Sequence, residues 1–169
     1  MKFFHLLFIS LLLSTAVSAQ QFLTREGSLS FDAGSPLEDI MAETKSATAV
    51  YDAATGKIGV QVLMTSFNFK RALMQEHFNE NYVESVKYPK ASFKGFYTDG
   101  FAQGELTMHG VTKSVQVPAV LAETKDGVEF KTTFKVNLSE YDVSIPKTVS
   151  DKIDPYATIT VFCVMKKRP

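Results

Sequence analysis

Few residues in this chain could do covalent chemistry. Beyond position 19 it holds two histidines, His77 and His109, and one cysteine, Cys163. A zinc site needs three or four ligands at set spacings. The chain has no HExxH, no CxxC and no carboxylate cluster beside either histidine. A nucleophile needs a supported base, yet neither GxSxG nor a cysteine signature is present, and Gly-rich phosphate loops are absent too. Cys163 sits in the apolar run ATITVFCVM, where a buried, inert thiol is expected. His109 falls in TMHGVTK (107–113), between two strands, where Gly110 supplies turn geometry and the histidine would satisfy turn backbone. These absences favour binding over catalysis.

His77 is the more informative histidine. It lies in LMQEHFNENYVESVKYPKASF (73–93), whose apolar residues recur at helical spacing. At about 100° per residue, Leu73, Met74, Phe78 and Tyr82 share one half of a helix. His77 and Asn81 fall within that same half. Two roles fit them: bonds to loop or strand-end backbone that fix the helix, or contact with a ligand's polar end.

The elements around that helix read as strands. GVEFKTTFKVNL (127–138) alternates strictly, which gives one buried and one wet face. Residues 21–33, 44–69, 91–110, 112–127 and 155–165 repeat the signal. Turns are expected at Ala54-Thr55-Gly56, Asp99-Gly100 and Lys125-Asp126-Gly127. Pro118 predicts an edge strand or a bulge. Residues 139–154, with Pro146, read as a loop with short helical turns. About eight strands in hairpin order predict an all-β antiparallel barrel or sandwich rather than a βαβ fold.

The N-terminal residues stand apart from this pattern. Lys2, an apolar run over 3–13 and small residues Val17 and Ala19 read as a signal peptide cut between Ala19 and Gln20. The apolar run is shorter than the roughly 20 residues that span a bilayer. The chain balances 18 Lys and Arg against 18 Asp and Glu, and loss of Lys2 leaves one excess negative charge. Nucleic acid binding wants a basic footprint, so no nucleic-acid partner is expected. A single cysteine allows no internal disulfide, and a core of this size suffices without one. Asn137-Leu138-Ser139 matches a glycosylation sequon but lies in the alternating strand, where it reads as chance. The 14 phenylalanines, many on strands, would fill a barrel or line a ligand cavity, and both outcomes stay open at this point.

RALMQEHFNENYVESVKYPKASFKG (71–95) followed by GELTMHGVTKSVQVP (104–118) resembles the YceI-like proteins. The resemblance rests on Arg71, His77, Tyr88-Pro89, Phe93, Thr107, His109, Gly110, Val111 and Thr112. Glu140-Tyr141-Asp142-Val143 and residues 30–52 depart from the family's usual pattern. The likeness implies an exported polyisoprenoid-binding protein, periplasmic or secreted, with one domain over 20–169. It implies an eight-stranded lipocalin-like barrel with a helix between strands 3 and 4 and a helical-turn loop before the last strand. It implies a polyisoprenoid or quinone-like ligand, no cofactor and no catalysis, with room for transient membrane contact and a homodimer. On that basis Phe67, Phe69 and Phe78 would line the mouth, with His77 and Asn81 near the ligand's polar end. Phe93, Met108, Phe130, Phe134 and Phe162 would form the tunnel wall. Two other functions compete: a non-lipid binding module with a closed core, acting through its surface on a partner in stress response or envelope upkeep, and a small enzyme using His77.

Overall fold

Alternation along each strand decides which side chains fill the interior of this barrel. The computed structural model describes residues 20–168. The expected signal peptide, residues 1–19, lies outside the described residues. The strands are β1 (Gln21–Gly34), β2 (Met41–Asp52), β3 (Lys57–Leu63), β4 (Asn68–Phe69), β5 (Lys90–Thr98), β6 (Phe101–Met108), β7 (Val111–Thr124), β8 (Gly127–Asn137) and β9 (Ile153–Lys167). In β8, Val128, Phe130, Thr132 and Val136 are buried while Lys131, Thr133 and Lys135 are exposed.

The sheet runs β1-β9-β8-β7-β6-β5-β3-β2, and β1 also pairs with β2, so it closes on itself. Every pairing is antiparallel. The result is an eight-stranded lipocalin-like barrel, with β4 as a two-residue addition on β2. Closure removes free edge strands that would otherwise invite aggregation, although β7 and β8 pair only from Ala119↔Thr132 to Thr124↔Gly127. The register of β1 shifts between Thr24 and Leu29, which turns its inward parity from Phe22 to Leu29 and Ala33. Gly27 sits in that shift, where a β-carbon would stand 2.6 Å from Cys163 Sγ. Only glycine lets the strand bend so closely over β9.

The two ends of the barrel differ. Short turns after β2, β5 and β7 close one end, with positive φ at Gly56, Gly100 and Gly127. All long excursions lie at the other end: residues 35–40, the helix-bearing 64–89, and 138–152. The last of these carries the expected helical turns, Leu138–Tyr141 and Lys147–Val149. The helix falls between the third and fourth long strands, yet it is shorter than its periodicity predicts. Only α1 (Ala72–His77) is α-helical, and Phe78–Tyr82 continues as a wider π turn. Leu73 is 61% exposed and leaves the expected apolar face.

Pro118 lies at a local edge and not in a bulge, since from Pro118 back to Val111 the β8 side of β7 has no ladder partner among the described residues. It marks the residue at which β7 changes partners, pairing with β6 up to Pro118 and with β8 from Ala119 onward.

Cys163 is fully buried, and burial pushes its thiol up to about 11. Thiol reagents at pH 8 should therefore leave the native protein unmodified and label it fully in denaturant. Labelling of the native state at the denatured rate would contradict this packing. Because the folded protein disfavours the thiolate, this group's contribution to stability is intact below pH 9.0. It is lost as pH rises through about 11.

Candidate functional site

The barrel interior is packed at one end and hollow at the other. Near the short turns Phe22, Ile58, Val128 and Met165 fill it. Above that layer lies a cavity of about 300 Å³, bounded by Leu29, Val62, Phe93, Leu106, Phe130 and Ile159 among others. It sits beneath the long excursions. Its wall is almost entirely hydrocarbon, and among the described residues its polar lining comes from Glu38, His77, Tyr82, Ser92, Thr132 and Lys152.

Phenylalanine rings crowd the helical side of this space. Phe31 stacks on Phe78 with centroids 5.1 Å apart, and it meets Phe67 edge-on at 5.3 Å and Phe69 at 5.6 Å. Phe78 lies 5.0 Å from Phe69 and 5.8 Å from Phe67. Such offset and edge contacts add about 0.5–1.5 kcal/mol per pair beyond burial. Two ion pairs hold the 35–40 loop to the start of the helix. Arg71 Nη1 lies 2.6 Å from Glu38 Oε1, and Lys70 Nζ lies 2.8 Å from Asp39 Oδ2. The Lys70–Asp39 pair is solvated on both sides, whereas Glu38 is mostly covered under the exposed Arg71; both pairs fix position more than stability.

A buried polar staple fixes the far side of the same excursion. His109 Nδ1 donates to the Tyr141 carbonyl at 3.0 Å, and Nε2 sits 2.9 Å from Glu84 Oε2. A carbonyl only accepts, so the Nδ1 proton is assigned by geometry. The His109 side chain is 8% exposed. Tyr88 packs edge-on against its ring with centroids 4.6 Å apart. Glu84 and His109 both hold positive φ, 44° and 51°, a conformation costly for such residues unless their surroundings enforce it. Gly110 at φ 78° lies so close that a β-carbon would stand 2.5 Å from Tyr88 Cε1. His109 therefore serves three segments, where the sequence pointed only to its own turn.

The sequence profile of the YceI-like domain matches residues 19–161. The chain belongs to the YceI-like family. The UPF0312 protein of Pseudomonas syringae pv. tomato is 29% identical over 136 residues, covering 71% of this chain and 70% of that protein. A polyisoprenoid binding domain from Saccharophagus degradans, implicated in plant cell wall breakdown, superposes with a TM-score of 0.73 at 9% identity. That match covers 89% of this chain and 99% of the other. BcnA of Burkholderia cenocepacia gives 0.70 at 16% identity, covering 80% and 94%. The YCEI protein of Campylobacter jejuni gives 0.57 at 23%, covering 75% and 83%. At these identities the structures share the fold.

In this YceI-like protein, the residues that carry the family resemblance cluster around the excursion over the cavity. Arg71 and His109 pin its two ends, Tyr88 packs on His109, and Pro89 accepts a bond from Met64 N at 2.9 Å. Of the ten residues expected at a ligand site, Phe67, Phe69, His77, Phe78, Phe93, Met108, Phe130 and Phe134 line the cavity. His77 is exposed at its rim.

Asn81 and Phe162 do not line it. Asn81 is exposed, because the backbone widens into i→i+5 bonding after Phe78, shown by Val83 N donating to Phe78 O at 3.0 Å. That wider turn breaks the 100° step on which its placement rested. Phe162 is 41% exposed on the outer wall, since β9 turns Ala157, Val161, Cys163 and Met165 inward. The parity was readable: Thr158, Thr160 and Lys166 share the outward set with Phe162. Sequence reasoning also passed over Phe31, although the period-two run Leu29, Phe31, Ala33 signalled it. Glu38 and Lys152 carried no signal, because only folding brings their loops to the rim.

Proposed function

We propose that the cavity holds the hydrocarbon chain of a polyisoprenoid or similar amphiphile, and that the protein carries or sequesters that lipid without catalysis. One observation carries this reading: a closed barrel keeps about 300 Å³ free of its own side chains, under a wall that offers hydrocarbon almost everywhere. An empty apolar space forfeits packing. Filling it with a chain returns about 0.8 kcal/mol per CH₂, less the cost of ordering the chain. Small-molecule sites run from about 300 to 1,000 Å³. This one stands at the lower bound and ends on the packed layer, so it takes a short chain or one end of a longer one. Shape selects such a ligand more than hydrogen bonding does. His77 and Lys152, at the rim, are the groups available to its polar end.

The solved relative named as a polyisoprenoid binding domain supports the ligand class. The N-terminal pattern supports export. Expression with the full N-terminus should yield a mature chain beginning at Gln20, checked by intact mass and N-terminal sequencing. A chain retaining residues 1–19 would overturn export by cleavage. For the ligand, native mass spectrometry of protein purified from its source should reveal a co-purifying lipid built of isoprene units. A protein that is apo as purified and that also fails to take up a dansyl-labelled farnesyl chain would overturn the lipid reading.

A further inference from the structure

The barrel wall is not sealed all round. β7 and β8 pair from Thr124↔Gly127 up to Ala119↔Thr132, and the ladder stops there. Pro118 stands at the break. Ala119 N donates to Gly100 O on β6 at 2.8 Å, so odd residues of β7 face β6 and even residues face β8. Position 118 should therefore donate to β8, and proline has no N–H. Its carbonyl is taken instead by the Thr132 hydroxyl at 2.7 Å. Extending the same register places Gln116 opposite Lys135 and Ser114 opposite Asn137. Among the described residues, no ladder pair joins them. At the rim, Lys113 Nζ lies 3.3 Å from Glu140 Oε2 and is the one ion pair found across the end of this seam among the described residues.

The cavity reaches this seam. Val115 and Val117 of β7 and Thr132, Phe134 and Val136 of β8 all line it. Along the intact ladder Ala119, Val128 and Phe130 are buried and Leu121 is half-buried; beside the seam Val136 is buried, while Val115, Val117 and Phe134 are half-buried.

We infer that the β7–β8 seam is a lateral gate, through which a lipid chain passes sideways into the cavity and through which a chain longer than the cavity emerges. The inference rests on the lipid reading above. Threading a flexible chain end-on past the clamped helix and its stacked phenylalanines would require those contacts to open together. Parting the seam breaks no ladder bond; it costs the Lys113–Glu140 pair and, at the rim, the His109–Tyr141 hydrogen bond, and Thr132–Pro118 marks where the opening ends.

Two measurements on the folded protein test this. Hydrogen exchange should show the amides of Ser114 and Gln116 exchanging far faster than those of Val115 and Val117, which face β6. Equal protection would overturn the gate while leaving the lipid reading untouched. Uptake of a dansyl-labelled farnesyl chain is then followed in Pro118→Val and in Gln116→Cys/Lys135→Cys. The first restores an N–H, the second closes the seam on oxidation. The valine variant should slow uptake by about tenfold, the change one regained hydrogen bond makes to a barrier, and the oxidised double variant should slow it further, with equilibrium occupancy unchanged in the valine variant. Reduction of the double variant should restore the rate. A valine variant with newly protected seam amides and unchanged uptake would overturn the gate. No uptake by the unmodified protein would overturn the lipid reading and the gate with it.

Discussion

A Phe134→Glu variant should lose uptake of a dansyl-labelled farnesyl chain, whereas Phe162→Glu should bind it as the unmodified protein does. Both phenylalanines stand on adjacent paired strands, and sequence alone offered both for the site. Phe134 lines the cavity, while Phe162 is 41% exposed on the outer wall. A carboxylate in an apolar cavity loses several kcal/mol of hydration that a hydrocarbon chain cannot replace. At about 1.4 kcal/mol per factor of ten, affinity should fall by about 100-fold or more. Phe134 is only half-buried, so the variant should fold, which circular dichroism would check. Phe134→Leu keeps an apolar wall and should keep uptake. Full uptake by a folded Phe134→Glu protein would remove Phe134 from the ligand's path.

His109→Ala should be the most destabilising single change at this end of the barrel. It leaves the Tyr141 carbonyl without its donor and Glu84 without its partner, and removes the ring against which Tyr88 packs. An orphaned buried acceptor costs about 1–3 kcal/mol and lost packing adds to it, giving roughly 2–4 kcal/mol in all. For a domain of this size that is a fall in Tm on the order of 5–15 °C. His109→Asn separates two causes, because asparagine tolerates the positive φ but cannot bridge both partners. It should lose nearly as much as alanine. If asparagine matches the unmodified protein, backbone conformation rather than the staple holds this turn.

Burial also raises the Tyr141 hydroxyl above its ordinary 10.0, with the Glu140 charge adding to the effect. The 138–141 turn is therefore packed from both sides: His109 bonds its backbone while its tyrosine enters the core. The staple and the Arg71–Glu38 pair lie on opposite ends of one excursion, which they hold over the cavity. The same staple spans the rim end of the seam, because His109 precedes β7 and Tyr141 follows β8.

Alternation alone determined much of this protein. Period-two runs such as residues 128–138 fixed the strands and their inward faces. Turn residues at 54–56, 99–100 and 125–127 fixed the hairpins, and hairpin order fixed an antiparallel all-β sheet, because these are local properties of the chain. The family resemblance placed Phe93, Phe130 and Phe134 at the cavity, and alternation along 128–138 agrees for Phe130 and Phe134. Local periodicity misplaced Asn81, because hydrogen bonding switches to a π turn inside the helix. Three things required the tertiary structure. Closure of β1 on β2 joins residues distant in order and chooses the barrel over the sandwich. The cavity depends on the volume that all strands leave together, which no single strand encodes. His109 found Glu84 and Tyr141 because folding brings positions 25 and 32 residues away to its two nitrogens. Pro118 was visible from the start, but its consequence was not: a missing donor opens a wall only when the neighbour it should have reached is known.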